Sequence, residues 1–336
     1  MRVCNIMLSR IKGGLEQCFL DYQKCLELNN IETIIVTSKK AYINDYVNSH
    51  QLMNFGSWDI FSIYKLKSIL SKFNPEIIIA HGDRAIKFAL KARLNTSIKI
   101  VGVTHNYKNK LIRYCDYIFA TTKHLKSYFS SYLDHIFLLP NMTDVTKEYK
   151  KPMYHNPIVI GTYGRFVKKK GFHVLLEAAN ILKESNCDFK VIIGGQGEEA
   201  KNLEALCYDL DLNNYVNFVG WINNRDKFFQ DIDIFCMPSL HEPFGISLLE
   251  AMAHSTPVVA TMSEGPSQII RDNKNGILAQ LNNAKDLAAK LKILIENEEF
   301  AQNLSYNAYF TVKTSYNIET NSHLLNKHLI RIKSYV

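Results

Sequence analysis

Residues 231–261 read DIDIFCMPSLHEPFGISLLEAMAHSTPVVAT, and they hold a strand, a turn, a helix and a second strand in that order. Ile232 to Met237 is an apolar run of strand length, and Pro257 to Ala260 is another. Between them Ile246, Leu249 and Ala253, flanked by Leu248 and Met252, recur at helical spacing, with Pro243 just ahead of the first turn. Strand, helix and strand in succession belong to a parallel sheet with helices on its faces. Two acids stand in this stretch, Glu242 before the helix and Glu250 inside it. A carboxylate within SLLEAMA is costly to bury without hydrogen-bond donors. Either Glu242 caps the helix and Glu250 is a paired acid, or both acids serve a ligand held at the helix start. There the N–H groups of Phe244, Gly245 and Ile246 would lie free at the positive end of the helix dipole.

The same alternation extends in both directions. Apolar, β-rich runs occur at Val3 to Leu8, Thr33 to Thr37, Glu76 to Ala80, Lys99 to Thr104, Tyr117 to Ala120 and Ile136 to Leu139, and again at Ile158 to Tyr163, Phe189 to Gly194 and Val216 to Val219. The polar stretch PNMTDVTKEYKKPMYHNP, 140–157, bracketed by prolines, divides the two series as a linker. The expected fold is α/β, with two Rossmann-like domains facing each other and the carboxyl ends of their strands bordering a shared cleft. The first domain covers residues 1–150 and the second 151–315, and a final helix over 316–336 crosses back onto the first.

At 336 residues, 47% hydrophobic and 21% charged, the chain has enough material for two cores. No apolar run approaches the roughly 18 to 20 residues of a membrane helix, and Met1 to Ile6 has no signal-peptide pattern, so a cytoplasmic location is expected. The seven cysteines are scattered without a C-x-x-C pair and read as reduced core thiols. The N-x-S/T tripeptides at Asn95, Asn141 and Asn303 then read as chance matches. The net charge of +8 is uneven: residues 1–150 hold 21 Lys and Arg against 12 Asp and Glu, and residues 151–336 hold 19 against 20. Such a field draws an anionic partner to the first half. Nucleic acid would fit the charge, but none of the recognisable nucleic-acid motifs is present.

Each half carries a glycine turn after its first strand. Lys12-Gly13-Gly14 precedes a helical pattern from Leu15 to Leu28; it fits a tight βα connection as well as close approach to a phosphate or sugar. In the second half, Gly164 and Arg165 are followed by Lys168-Lys169-Lys170-Gly171, either a solvated basic loop or a diphosphate grip. Gly194, Gly195 and Gly197 follow a strand, either as a plain turn or to let backbone come close to a flat ring.

The stretch HEPFGISLLEAMAHSTPVVAT followed by EGPSQIIRDNKNGIL resembles the nucleotide-sugar site of the retaining glycosyltransferases of family 4, which have the GT-B fold. The Gly13-Gly14 loop, THN around His105, LLPN, GRFVKKKG, IIGGQGEE, FVGWI and DIDIFCMPS extend the resemblance, in order, along nearly the whole chain. The resemblance implies that Arg165 and Lys170 hold the diphosphate, with Gly13 and Gly14 on the opposite side. The neighbouring Lys168 and Lys169 leave the lysine ambiguous; Lys170 is chosen because it directly precedes Gly171. Glu250 would accept from the ribose hydroxyls. Glu242 and the backbone of Phe244, Gly245 and Ile246 would hold the sugar, with His105 touching it from the first domain. The base would lie near Gly195, Gly197 and the Gly220-Trp221 strand end.

The implied chemistry is glycosyl transfer with retention to a glycan or lipid-linked acceptor, in bacterial cell-surface polysaccharide or lipopolysaccharide synthesis. Arg165, Lys170 and the helix start stabilise the leaving diphosphate, so no metal and no cofactor are expected. Asp231 and Asp233 resemble the metal-binding acid pair of the other glycosyltransferase fold, but they flank a strand start and the phosphate duty is already filled by cations. A nucleotide-sugar epimerase and a non-catalytic nucleotide-sugar-binding subunit are the alternatives. Ser57 to Phe73, with Trp58, Lys65, Lys67 and Lys72, and the basic helix Asp83 to Arg93 fit packed surface helices or contacts with an anionic membrane surface at the inner face of the cytoplasmic membrane.

Overall fold

The computed structural model describes residues 1–10, 13–56, 59–93, 96–107, 110–131, 133–145 and 147–334. Lys12, Trp58 and the tripeptide start Asn95 lie outside the described residues. The chain divides into two compact units, Met1–Met142 with Tyr316–Val336, and Thr143–Ser315.

In the first unit the elements are β1 (Arg2–Met7), α1 (Gly14–Leu28), β2 (Glu32–Ser38), β3 (His50–Leu52), α2 (Ile60–Phe73), β4 (Ile77–His81), α3 (Asp83–Ala92), β5 (Lys99–Thr104), β6 (Tyr117–Ala120), α4 (Lys123–Ser130) and β7 (Ile136–Leu138). The sheet order is β3-β2-β1-β4-β5-β6-β7, and each neighbouring pair is parallel. Central parallel strands are covered on both faces and therefore read as unbroken apolar runs. Ile77 to His81 is such a run, buried at every position. Ile6, Ile78, Ile100 and Phe88 are at the centre of the core.

The second unit contains β8 (Ile158–Tyr163), α5 (Phe172–Glu184), β9 (Phe189–Gly194), α6 (Ala200–Asp209), β10 (Val216–Gly220), α7 (Arg225–Gln230), β11 (Ile234–Met237), α8 (Ile246–Ala253), β12 (Val258–Thr261), α9 (Pro266–Ile269), β13 (Ile277–Ala279), α10 (Ala284–Glu296) and α11 (Glu298–Ser315). Its parallel sheet is ordered β10-β9-β8-β11-β12-β13. Both sheets thus start at an inner strand, run outward to one side, then return to fill the other. That order gives each a topological switch point, between β1 and β4 and between β8 and β11.

One boundary differs from the sequence reading. Much of the proline-bracketed stretch belongs to the second unit, so the division falls between Met142 and Thr143 instead of 150 and 151. Polar anchors explain this: Tyr154 donates to Leu294 O at 3.0 Å, and buried Asp233 accepts from the His155 and Val159 N–H groups at 3.0 and 2.7 Å. The last helix, α12 (Ile318–Ser334), packs against α1 in the first unit. Leu325, Leu329 and Ile332 are fully buried there, and Asn29 Nδ2 donates to Ser322 O at 2.9 Å. The cysteines are free, five of them buried and Cys115 and Cys187 partly so.

Candidate functional site

Ligands of doubly wound sheets sit beyond the carboxyl ends of the strands at the switch point. In the second unit that point is flanked by the loop after β8, which carries Arg165 and Lys170, and the loop after β11, which carries Glu242. The loops are bound together. Leu240 N donates to Lys169 O at 2.9 Å, and Lys170 Nζ lies 2.5 Å from Glu242 Oε2. Gly171 permits the approach, since at φ +66° a Cβ there would stand 2.0 Å from Pro238 O. Lys170 and Glu242 are both largely buried, whereas Arg165 on the same loop is exposed.

The second loop ends at Gly245, in the left-handed region at φ +102°, and α8 starts with no side-chain cap. Uncapped N–H groups at the positive end of a helix suit an anion. The turn ahead of α8 is braced from the side: Glu264 accepts from the Glu242 N–H at 3.2 Å and pairs with His241 Nδ1 at 2.6 Å. Burial would raise the Glu264 carboxyl, but backbone donors and His241 hold it below the usual carboxylate range. Gly265 packs so closely that a Cβ would lie 2.0 Å from Phe244 O.

Glu250 faces inward from α8 and is 5% exposed. Its Oε2 accepts from the Tyr163 hydroxyl at the end of β8, and Oε1 lies 2.7 Å from Arg225 Nη1 at the start of α7. Burial pushes the Glu250 carboxyl above its ordinary range, opposed by the Arg225 charge and the Tyr163 hydrogen bond. Burial, reinforced by the Glu250 charge, pushes the Tyr163 phenol well up. The acid in the apolar helix is therefore a paired acid whose two oxygens face the same edge of the sheet as the Lys170 loop.

Gly195 and Gly197 follow β9, the strand next to β8. Here the structure supplies a packing reason for the glycines: a Cβ on Gly195 would stand 1.9 Å from Gly164 O, and one on Gly197 2.4 Å from Phe166 O. Both have positive φ. They lock the β9 loop onto the loop of Arg165, with Phe166 N donating to Gln196 O at 2.8 Å. Gly220 at the end of β10 is different, since nothing lies within 4 Å of a Cβ built there.

In the first unit Gly13 precedes α1 in extended conformation, and a Cβ there would meet only Glu16 Oε2 at 3.5 Å. The fold does not itself demand that glycine. Gly14 opens α1 at the carboxyl end of β1. His105 follows β5, and its ring lies against His81 at the end of β4, centroids 5.7 Å apart. Burial pushes the His105 imidazole down to about 4, and burial together with His105 pushes His81 well below its usual value. Cys18 of α1, His81 and His105 offer ligand atoms within 4.8 Å of one another, a donor set suited to a thiophilic cation. The acid pair discounted in the sequence is otherwise engaged: Asp233 holds backbone N–H groups, and Asp231 pairs with Lys227 at 2.6 Å.

The second unit thus brings Arg165, Lys170, Glu242, Gly245 and Glu250 to one edge of its sheet, and the first unit brings Gly13, Gly14 and His105 to the corresponding edge of its own. Sequence reasoning missed Arg225, His241, Glu264 and His81. Glu264 lay within a motif already singled out, and His81 ends a strand before a glycine; Arg225 left no signal, its partner being 25 positions away.

A family profile described as glycosyl transferases group 1 matches residues 145–310. The chain is 27% identical over 315 residues to the lipopolysaccharide core biosynthesis glycosyltransferase LpsE of Rhizobium meliloti (strain 1021), covering 89% of this chain and 91% of LpsE. Among solved structures it is similar to Anabaena HepE in complex with UDP and glucose, at TM-score 0.87 and 18% identity, covering 98% of this chain and all of that one. The apo form of the lipopolysaccharide outer core galactosyltransferase WaaB superposes at TM-score 0.77 and 17% identity, covering 98% and 99%.

Proposed function

Since the chain is a group 1 glycosyltransferase with the GT-B fold, we propose that it moves a sugar from a nucleoside diphosphate sugar to a hydroxyl of a glycan or lipid-linked acceptor, with retention of configuration, in lipopolysaccharide or polysaccharide synthesis. The observation that carries the donor half is the Lys170–Glu242 pair beside the uncapped start of α8. A cation, an acid and a helix N-terminus converge where a diphosphate joined to a sugar presents a dianion next to hydroxyl groups. That HepE was solved with UDP, glucose and UDP-glucose supports a nucleotide-sugar donor.

In this reading Lys170 exchanges Glu242 for the diphosphate, and Arg165, exposed beside it, adds a second cation. Glu242 is then freed to accept from the sugar hydroxyls. Glu250, oriented by Tyr163 and Arg225, accepts from the ribose. The bond from the anomeric carbon to the diphosphate oxygen breaks, the acceptor oxygen bonds to that carbon on the same face, and the departing oxygen takes the acceptor proton. Charge grows on the diphosphate as the bond lengthens, which is where fixed cations and backbone donors lower the barrier. Burial keeps His105 of the first unit neutral, so that it acts as a hydrogen-bonding group and not as a cation. The scheme uses no metal.

Protection against thermal unfolding across a panel of nucleotide sugars, headed by UDP-glucose, identifies the donor, because a ligand bound only by the native state raises apparent stability. NMR of the product then gives the anomeric configuration. A product of inverted configuration overturns retention, and a panel without any protecting compound overturns the donor assignment.

A further inference from the structure

Two imidazoles at the carboxyl edge of the first sheet lack the partners that buried nitrogens need. His81, the last residue of β4, is 2% exposed, and neither its Nδ1 nor its Nε2 has a hydrogen-bond partner among the described residues. His105, just after β5, has a buried Nε2 in the same condition. Buried polar atoms are paired in the great majority of cases, so each orphan needs a reason. Packing does not supply it. The rings of Phe19 and Tyr22 stand nearly perpendicular to that of His81, with centroids 5.3 and 5.0 Å away. A phenylalanine would make the same contacts without leaving two nitrogens unpaired.

A thiol completes the group. Cys18 of α1 is buried, and its Sγ donates to Asn141 Oδ1 at 3.1 Å, a weak bond that is easily exchanged. Cys18 Sγ and a nitrogen of each imidazole lie within 4.8 Å of one another. A zinc ion at ordinary bond lengths holds such donors roughly 3.5 Å apart, so small side-chain turns bring all three onto one centre. His81 breaks no hydrogen bond in turning. Thiolate and imidazole select soft and borderline cations, and the three donors include no carboxylate, which disfavours Mg²⁺ and Ca²⁺.

We propose that Cys18, His81 and His105 bind one thiophilic cation, Zn²⁺ or Cu⁺, which ties α1 to the ends of β4 and β5 and acts as a brake on transfer by claiming His105. On binding, the Cys18 S–H bond breaks as sulfur bonds to the metal, the proton passes to solvent, and no electron changes hands. The cation stays outside the chemistry of transfer. The brake rests on the hydrogen-bonding role given to His105 in the proposed function; the binding does not.

Titration calorimetry of the full chain with Zn²⁺, and with Cu⁺ under anaerobic conditions, tests the site and shows which ion it prefers. X-ray absorption at the zinc edge should show one sulfur at about 2.3 Å and two imidazole nitrogens at about 2.0–2.1 Å. Cys18→Ser and His81→Phe should each weaken binding by about 100-fold or more. His81→Phe keeps the ring contacts with Phe19 and Tyr22, and thermal unfolding without metal checks that both variants fold. Added Zn²⁺ should raise the unfolding temperature of the parent chain and of neither variant. Nucleotide-sugar protection, measured without metal, reads the donor assignment separately. A zinc shell without sulfur, or an affinity unchanged in both variants, overturns the site, because the ion would then be held elsewhere on the chain. Full turnover by the zinc-loaded chain overturns the brake.

Discussion

Lys170 Nζ and Glu242 Oε2 lie 2.5 Å apart, so the cation of the loop after β8 and the acid of the loop ahead of α8 hold each other in place. Removing the lysine leaves a largely buried carboxylate next to the expected diphosphate and takes away a cation that matters most when that diphosphate departs. Lys170→Ala should lower kcat by about 100-fold or more, with a smaller effect on donor affinity. Arg165→Ala should act in the same direction. Steady-state kinetics beside calorimetric donor binding decides this; a change confined to KM in both variants contradicts the leaving-group role.

The pairing of Glu250 with Tyr163 and Arg225 gives a different signature. Glu250→Ala leaves the ribose hydroxyls unpaired, a loss of roughly 1 to 3 kcal/mol in donor binding. Because Arg225 opposes the rise in the Glu250 pKa, Arg225→Ala should let the carboxyl take up a proton at higher pH. Donor affinity of Arg225→Ala should then fall off at higher pH than that of the parent chain. Titration calorimetry over a pH series reads both effects, and superimposable pH profiles would refute the coupling.

His105 ties stability to pH. Its folded pKa of about 4 lies below the ordinary value of about 6.5, so the unfolded chain binds a proton that the folded chain refuses. Stability is therefore lost as pH falls through 6.5 toward 4, by roughly 2 kcal/mol at pH 5 for this group alone. Urea unfolding of the parent chain and of His105→Gln between pH 7 and pH 5 should show the variant losing less. Parallel curves would mean that the imidazole carries no such linkage.

The Cys18, His81 and His105 cluster allows the metal question to be asked directly. Chelator should leave turnover unchanged, since Lys170, Arg165 and the helix start supply the positive charge. Added Zn²⁺ should inhibit by drawing His105 into a Cys-His-His donor set, and Cys18→Ser should relieve that inhibition. Activity that chelation abolishes and Zn²⁺ restores would overturn the metal-free scheme.

The two sheets were legible because strands such as Ile77 to His81 and Phe189 to Gly194 are long enough to show a β-rich run. His50 to Leu52 and Ile277 to Ala279, three residues each, are too short to carry a pattern and are strands only because a neighbour pairs with them. Lys170 was singled out through GRFVKKKG, and Glu242 and Glu250 through HEPFGISLLE. Their partners were not equally visible: Arg225 meets Glu250 only after β11 has placed α7 and α8 side by side, a relation that no local spacing encodes. Gly195 and Gly197 were noticed for the freedom of their backbone, yet what demands them is the main chain of another loop, at Gly164 and Phe166.

The return of α12 to α1 has a consequence for biosynthesis. Tyr22, Cys25 and Leu26 of α1 are buried in the finished first unit, and α12 reaches α1 only after the whole second unit has been made. During translation the first-made unit must wait, partly uncovered, while the second can close on its own residues as they emerge. A ribosome-bound chain stopped near residue 315 should therefore protect the second unit from protease while leaving α1 open to cleavage, and the order of maturation would run opposite to the order of synthesis.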